Sequence, residues 1–265
     1  MPGQGQSPGA NKRAVESLLA FWADSGVEAC FEDAPVDRIA EVVRPIRAAA
    51  SASAPANDVS AAVASAQTAA AAAGDLEALA AAIAAFDGCG LKFEGARQAV
   101  FSRGAADAPV MVIGEGPGAD EDQQGAPFVG RAGQLLDKML AAAGLGGRVF
   151  ITNTVFWRPP GNRTPSPQEQ AICAPFLERA IALLTPKYLL LVGGASAKSV
   201  LQKGEGILSL RGRWFDWRSA DGATELPALP TLHPAFLLRQ PGAKKKAWQD
   251  LLTLAERLDR PERPA

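Results

Sequence analysis

Beyond Cys89 the chain carries four short apolar runs, at 109–114, 149–153, 188–193 and 226–233, separated by helical patterns. The first three are rich in Val, Ile and Leu without strict alternation. That composition suits strands buried on both faces of a parallel sheet, and parallel neighbours need a crossover between them. Helical periodicity supplies the crossovers. Ala132–Ala143 puts Leu135, Leu136, Met139 and Leu140 on one face. A second helix opens at Ser166-Pro167-Gln168-Glu169, a capping box with proline at the first helical position, and runs to about Leu184. Two more span roughly 195–202 and 243–258. The alternation predicts an α/β fold, a three-layer α/β/α sandwich around a central, mainly parallel four-stranded sheet. Ligands of such sheets bind at the carboxyl ends of the strands. Three unusual strings fall there: Gly114-Glu-Gly-Pro-Gly118, Thr152-Asn153 and His233-Pro234.

The N-terminal third reads differently. A helix is expected over Lys12–Asp24, with Val15, Leu18, Leu19 and Trp22 on one face and Cys30 and Phe31 packed beneath it. Residues 48–73 are almost wholly Ala, Ser and Val and offer no core pattern, so they read as a linker with some helical tendency. A helix then restarts with Asp75 as N-cap and Leu76, Leu79, Ile83 and Phe86 as its buried stripe. The expected division is an extension over 1–74 and an α/β domain over 75–260. A formal net charge of −1 denies nucleic acid a global attraction, so binding of that kind needs a local basic patch. Three scattered cysteines argue for a reducing compartment and against a disulfide framework. No apolar run approaches a membrane span, and a cytoplasmic monomer is expected.

The strand-end strings carry the chemistry. The glycines from Gly114 to Gly118 allow close backbone approach to a ligand. A P-loop is excluded, because no Gly-Lys-Ser/Thr follows and acidic side chains crowd the loop. A carboxylate at a strand end, Glu115, suits the positioning of a water or the stabilisation of positive charge. Phe128 lies between Pro127 and Gly130 and offers either a core ring or a stacking face for a planar base. The Asn153 side chain presents one donor and one acceptor, matching the O4 and N3–H edge of uracil or of a similar ring. His233 is the single histidine of the chain. Taken alone it reads as structural, and its neighbours at the other strand ends change that.

The strings Gly-Glu-Gly-Pro-Gly-Ala-Asp-Glu-Asp from Gly114, Pro-Phe-Val-Gly-Arg-Ala-Gly-Gln-Leu-Leu from Pro127, Ile-Thr-Asn ending at Asn153, Arg-Pro-Pro-Gly-Asn-Arg ending at Arg163, and His-Pro-Ala-Phe-Leu-Leu-Arg ending at Arg239 together resemble the uracil-DNA glycosylase superfamily, most closely its family 4. The likeness covers about Phe86 to Leu258. It implies a monofunctional glycosylase that hydrolyses the N-glycosidic bond of deoxyuridine in single- or double-stranded DNA, leaving an abasic site for base-excision repair. By position, Glu115 corresponds to the carboxylate that helps activate water and His233 to the group stabilising uracil O2. Phe128 corresponds to the stacking ring and Asn153 to the residue reading the base edge. The backbone of Gly114 and Gly116 would hold the O2 side. Leu237 falls where the family inserts an apolar wedge, and Arg239 and Arg163 would meet DNA. Two other readings stay open, a non-catalytic sensor of uracil or abasic DNA and a glycosylase for another deaminated base such as hypoxanthine.

The chain departs from family 4 at the cysteines. The resemblance implies four that hold a [4Fe–4S] cluster, and Cys89 and Cys173 match the first and fourth. Lys92 and Trp157 stand at the other two positions. With two thiols left, no cluster and no metal are expected. Relatives that become covalently trapped on the abasic sugar use an extra histidine, and this chain has none to offer. Arg158, the Arg211–Trp214 turn and Lys244–Lys246 remain candidates for a local basic patch.

Overall fold

The computed structural model describes residues 56–260. The helix expected over Lys12–Asp24 lies outside them. Helix α1 spans Ala56–Ala72 and α2 Leu76–Ala85, with the Asp75 side chain accepting from Ala78 N at 2.7 Å. Strand β1 is Ser102–Gly104 and β2 Val110–Gly114, followed by α3 at Ala119–Gln124 and α4 at Arg131–Ala142. Strand β3 is Val149–Asn153, α5 Pro167–Leu184, β4 Tyr188–Val192, α6 Gly194–Leu201 and α7 Ile207–Leu210. Strands β5 (Phe215–Arg218) and β6 (Glu225–Thr231) precede α8 (Pro234–Arg239) and α9 (Lys244–Asp259).

The six strands run in the order β1-β3-β2-β4-β6-β5. The four expected from sequence form the parallel centre, β3-β2-β4-β6. Both edges, β1 and β5, are antiparallel additions that correct the expected strand number. These strands are short and lack the apolar runs that marked the others. The Arg211–Trp214 turn leads into β5. Its Arg211 pairs with the buried Asp250 of α9, which also accepts from Thr231 Oγ1 at 2.8 Å. That network fastens the end of β6 two residues before His233.

The central strands explain their own composition. Met111, Ile113, Leu189 and Leu191 face a layer containing α2 and α5, while Val110, Val112, Leu190 and Val192 face α4 and α9. Both faces are covered, so apolar residues need not alternate with polar ones. The stretch expected as a linker is corrected in its described part. Alanine favours helix, and its small side chain lets α1 lie close along α5 with Ala66, Ala70 and Ala73 buried. The Arg179 guanidinium donates to Ala73 O at 2.6 and 3.0 Å, closing the helix end that Gly74 leaves open.

Candidate active site

Strands β2, β3 and β6 deliver Gly114, Asn153 and, two residues past Thr231, His233 to the carboxyl end of the sheet. A cleft of about 560 Å³ opens there, lined among others by Glu115, Gly116, Phe128, Arg163, His233 and Arg239.

His233 is the N-cap of α8. Its Nδ1 accepts the Ala235 N–H at 3.1 Å. An Nδ1 that accepts must carry no proton, so the neutral ring bears its proton on Nε2, which becomes a donor. Burial, helped by the positive charge of Arg239 and opposed by Glu121, lowers its pKa from 6.5 to about 4. The imidazole is therefore neutral at pH 7. Gly193 lets the ring approach closely, since a Cβ there would lie 3.1–3.2 Å from His233 Cβ and Cδ2.

Asn153 is 1% exposed, and neither Oδ1 nor Nδ2 has a hydrogen-bond partner. A buried amide without partners costs about 1–3 kcal/mol, so its retention calls for a ligand that completes it. It lies beside Gly114 and the Phe128 ring: a Cβ at 114 would stand 2.4 Å from Asn153 Oδ1 and 2.5 Å from that ring. Gly114 is thus required by close approach, and at Gly116 an added Cβ would likewise stand 2.9 Å from Val155 Cγ2. The Phe128 ring lies 5.8 Å from the His233 ring, tilted by 33°. The Glu115 carboxylate lines the cleft with no hydrogen bond or ion pair among the described residues, while its carbonyl accepts from Thr154 Oγ1 at 2.6 Å.

Two expected DNA contacts sit differently. Leu237 is completely buried, packed with Leu232 and Ala247, and cannot serve as a wedge. On a helix each residue turns about 100° from the last, so Leu238 takes the outward place and is 40% exposed. Arg163 lines the cleft, but Glu169 takes its guanidinium at 2.6 and 2.9 Å and Glu94 at 3.2 Å. Those bonds, above all to Glu169, push its already high pKa up, and they brace the Pro159–Pro165 wall against α5. Arg239 stands exposed at the rim. Sequence reasoning passed over Phe236, which also lines the cleft, and the Glu121 side chain, which accepts from Gly118, Val129 and Gly130 N–H groups.

Residues 101–252 match the model of the uracil DNA glycosylase superfamily. The chain is 40% identical over 160 residues to a type-4 uracil-DNA glycosylase of Pyrobaculum aerophilum, covering 58% of this chain and 81% of that protein. It is 38% identical over 172 residues to that of Sulfurisphaera tokodaii, covering 62% and 77%. Against that of Thermotoga maritima it is 41% identical over 143 residues, covering 53% and 71%.

These relatives overturn one expectation. All three are of type 4, the type for which the resemblance implied an iron–sulfur cluster, so the expected absence of a cofactor is withdrawn. At the corresponding place Cys89 and Cys173 are buried and hydrogen-bonded to each other, and burial helps push the Cys173 thiol up. Lys92 Nζ is held by Asp87 Oδ1 at 2.7 Å and by the carbonyls of Ala84 and Phe86. Trp157 fills core space beside Phe156. Two thiols, an ammonium and an indole do not fit a four-thiolate cluster, and no step below runs through one.

Proposed function

The chain belongs to the uracil DNA glycosylase superfamily, and from that membership we propose that it excises uracil from DNA by hydrolysing the N-glycosidic bond. The observation that carries the reading is the partnerless Asn153 amide, buried beside Phe128 and Gly114 at the same end of the sheet as the His233 imidazole. A uracil base has the complementary edge. Asn153 Nδ2 donates to O4 and Oδ1 accepts from N3–H, and both orphaned atoms become satisfied at once.

A target base inside a duplex must leave the stack to enter such a cleft. Phe128 stacks on the flipped ring, and the His233 Nε2–H donates to O2. As the C1′–N1 bond breaks, its electron pair leaves with the base as a uracil anion. A donor placed in advance at the developing charge is worth about 3–4 kcal/mol. A neutral imidazole suffices, and the Ala235 N–H keeps the proton on the nitrogen that needs it. Glu115 faces the sugar side, where its carboxylate stabilises oxocarbenium character and orients the attacking water. Arg239 meets a phosphate, and Leu238 occupies the outward place from which an apolar side chain can prop the stack.

The partner is uracil-containing DNA, and the protein acts as a cytoplasmic monomer. No helix among the described residues is long and apolar enough to cross a membrane. Incubation with a uracil-containing oligonucleotide followed by alkali tests the reading. Strand scission at the uracil is expected. Intact strands with binding preserved would favour a sensor, and scission only at hypoxanthine would favour another base.

A further inference from the structure

Four described residues other than glycine have a positive φ: Phe128, Asn162, Thr185 and Gln202. Asparagine tolerates that region, and Thr185 and Gln202 are helix C-caps, where it is ordinary. Phe128, at φ 56°, has no such excuse. A bulky residue persists there only when its surroundings hold it.

Those surroundings are specific. From edge strand β1, Arg103 Nε donates to Pro127 O at 2.7 Å and Nη2 to Phe128 O at 3.1 Å, with Asp137 Oδ1 accepting a further bond at 2.7 Å. From α3, Glu121 Oε1 accepts from Val129 N at 2.9 Å and Gly130 N at 3.0 Å, and its Oε2 accepts from Gly118 N at 3.1 Å. Gly133 admits the same carbonyl, since a Cβ there would lie 1.7 Å from Phe128 O. A cation grips the carbonyls of the two peptides that flank the strained residue, and an anion grips the amides that follow it.

We propose that Arg103 and Glu121 form a clamp that holds Phe128 in its left-handed conformation, so that the ring stands ready as a stacking surface for the base. Neither residue touches the reacting atoms on this account. Both are positioning residues, and the inference rests on the glycosylase reading. A guanidinium suits the task because its fork reaches two successive carbonyls together, which an ammonium cannot do with the same geometry.

The test uses the full chain with Arg103→Met and Arg103→Lys. Three quantities separate positioning from general damage: inhibition by free uracil, the single-turnover rate on saturating single-stranded uracil DNA, and affinity for DNA containing an abasic site. Arg103→Met weakens uracil inhibition and slows turnover by roughly tenfold each, equivalent to about 1.4 kcal/mol. Its affinity for abasic DNA, which offers no base to stack, stays at the wild-type value. Arg103→Lys falls between the two. Unchanged uracil inhibition and turnover would overturn the clamp, as would a parallel loss of abasic-DNA affinity. If Arg103→Met fails to fold, Arg103→Lys decides by the same criteria. A wild-type chain releasing no uracil refutes the glycosylase reading and the clamp with it, whereas an active wild type matched by both variants refutes the clamp alone.

Discussion

Acidification should break the His233 cap of α8 by a route visible in one pair of NMR signals. The ring's pKa lies at about 4 against an ordinary 6.5. Above pH 6.5 the folded and unfolded chains both hold a neutral ring, and nothing is lost. Between pH 6.5 and 4 the unfolded chain takes up a proton that the folded chain refuses, so stability falls as pH falls. Below about pH 4 the whole difference, about 3 kcal/mol, has gone. Protonation places hydrogen on Nδ1, which then faces the Ala235 N–H as donor against donor and breaks the cap of α8. Losing a helix N-cap costs roughly 1 kcal/mol. Because the chain has one histidine, ¹⁵N-imidazole labelling gives one pair of ring resonances. At pH 7 they should report the Nε2–H tautomer, with a midpoint near 4. With respect to this group, single-turnover uracil release should be flat from pH 8 to 5. A midpoint near 6.5, or an Nδ1–H tautomer at pH 7, would refute the reasoning.

Other substitutions probe the remaining parts of the site. Asn153→Leu removes a buried amide without partners, so thermal unfolding should show unchanged or raised stability while uracil release falls at least a hundredfold; a destabilised variant would mean the amide has a partner in the free protein. Gly114→Ala forces a methyl to within 2.5 Å of Phe128 and Asn153, and should lower both stability and uracil release, measured by the same two assays. Leu237→Ala should cost about 2–5 kcal/mol in denaturant unfolding because its site is fully buried. Leu238→Ala should leave unfolding unchanged and slow excision from duplex more than from single strands; an equal effect on both substrates would remove it from the wedge position.

The parallel centre of the sheet was legible because burial on both faces demands continuous apolar runs, and such runs survive in a linear reading. Helix α5 was legible from Ser166 and Glu169, whose side chains do bond reciprocally to the backbone. The edge strands were not, since three or four residues held by neighbours need no pattern of their own. Residue types at the strand ends, and in the loop between α3 and α4, marked Glu115, Phe128, Asn153 and His233 as a candidate set, because their functional groups do not depend on surroundings. What depends on surroundings had to come from the folded chain. The phase of α8 turned Leu237 inward and Leu238 outward, and two carboxylates, Glu169 at the start of α5 and the distant Glu94, claimed Arg163. The proton position on His233 follows from one amide two residues away, made available by the turn into α8. The strain at Phe128 and its two jaws, Arg103 and Glu121, join residues 8 to 25 positions apart through contacts that no local pattern encodes. Sequence named the groups of the candidate site, and tertiary packing set their orientation, protonation and partners, because those are properties of neighbours in space.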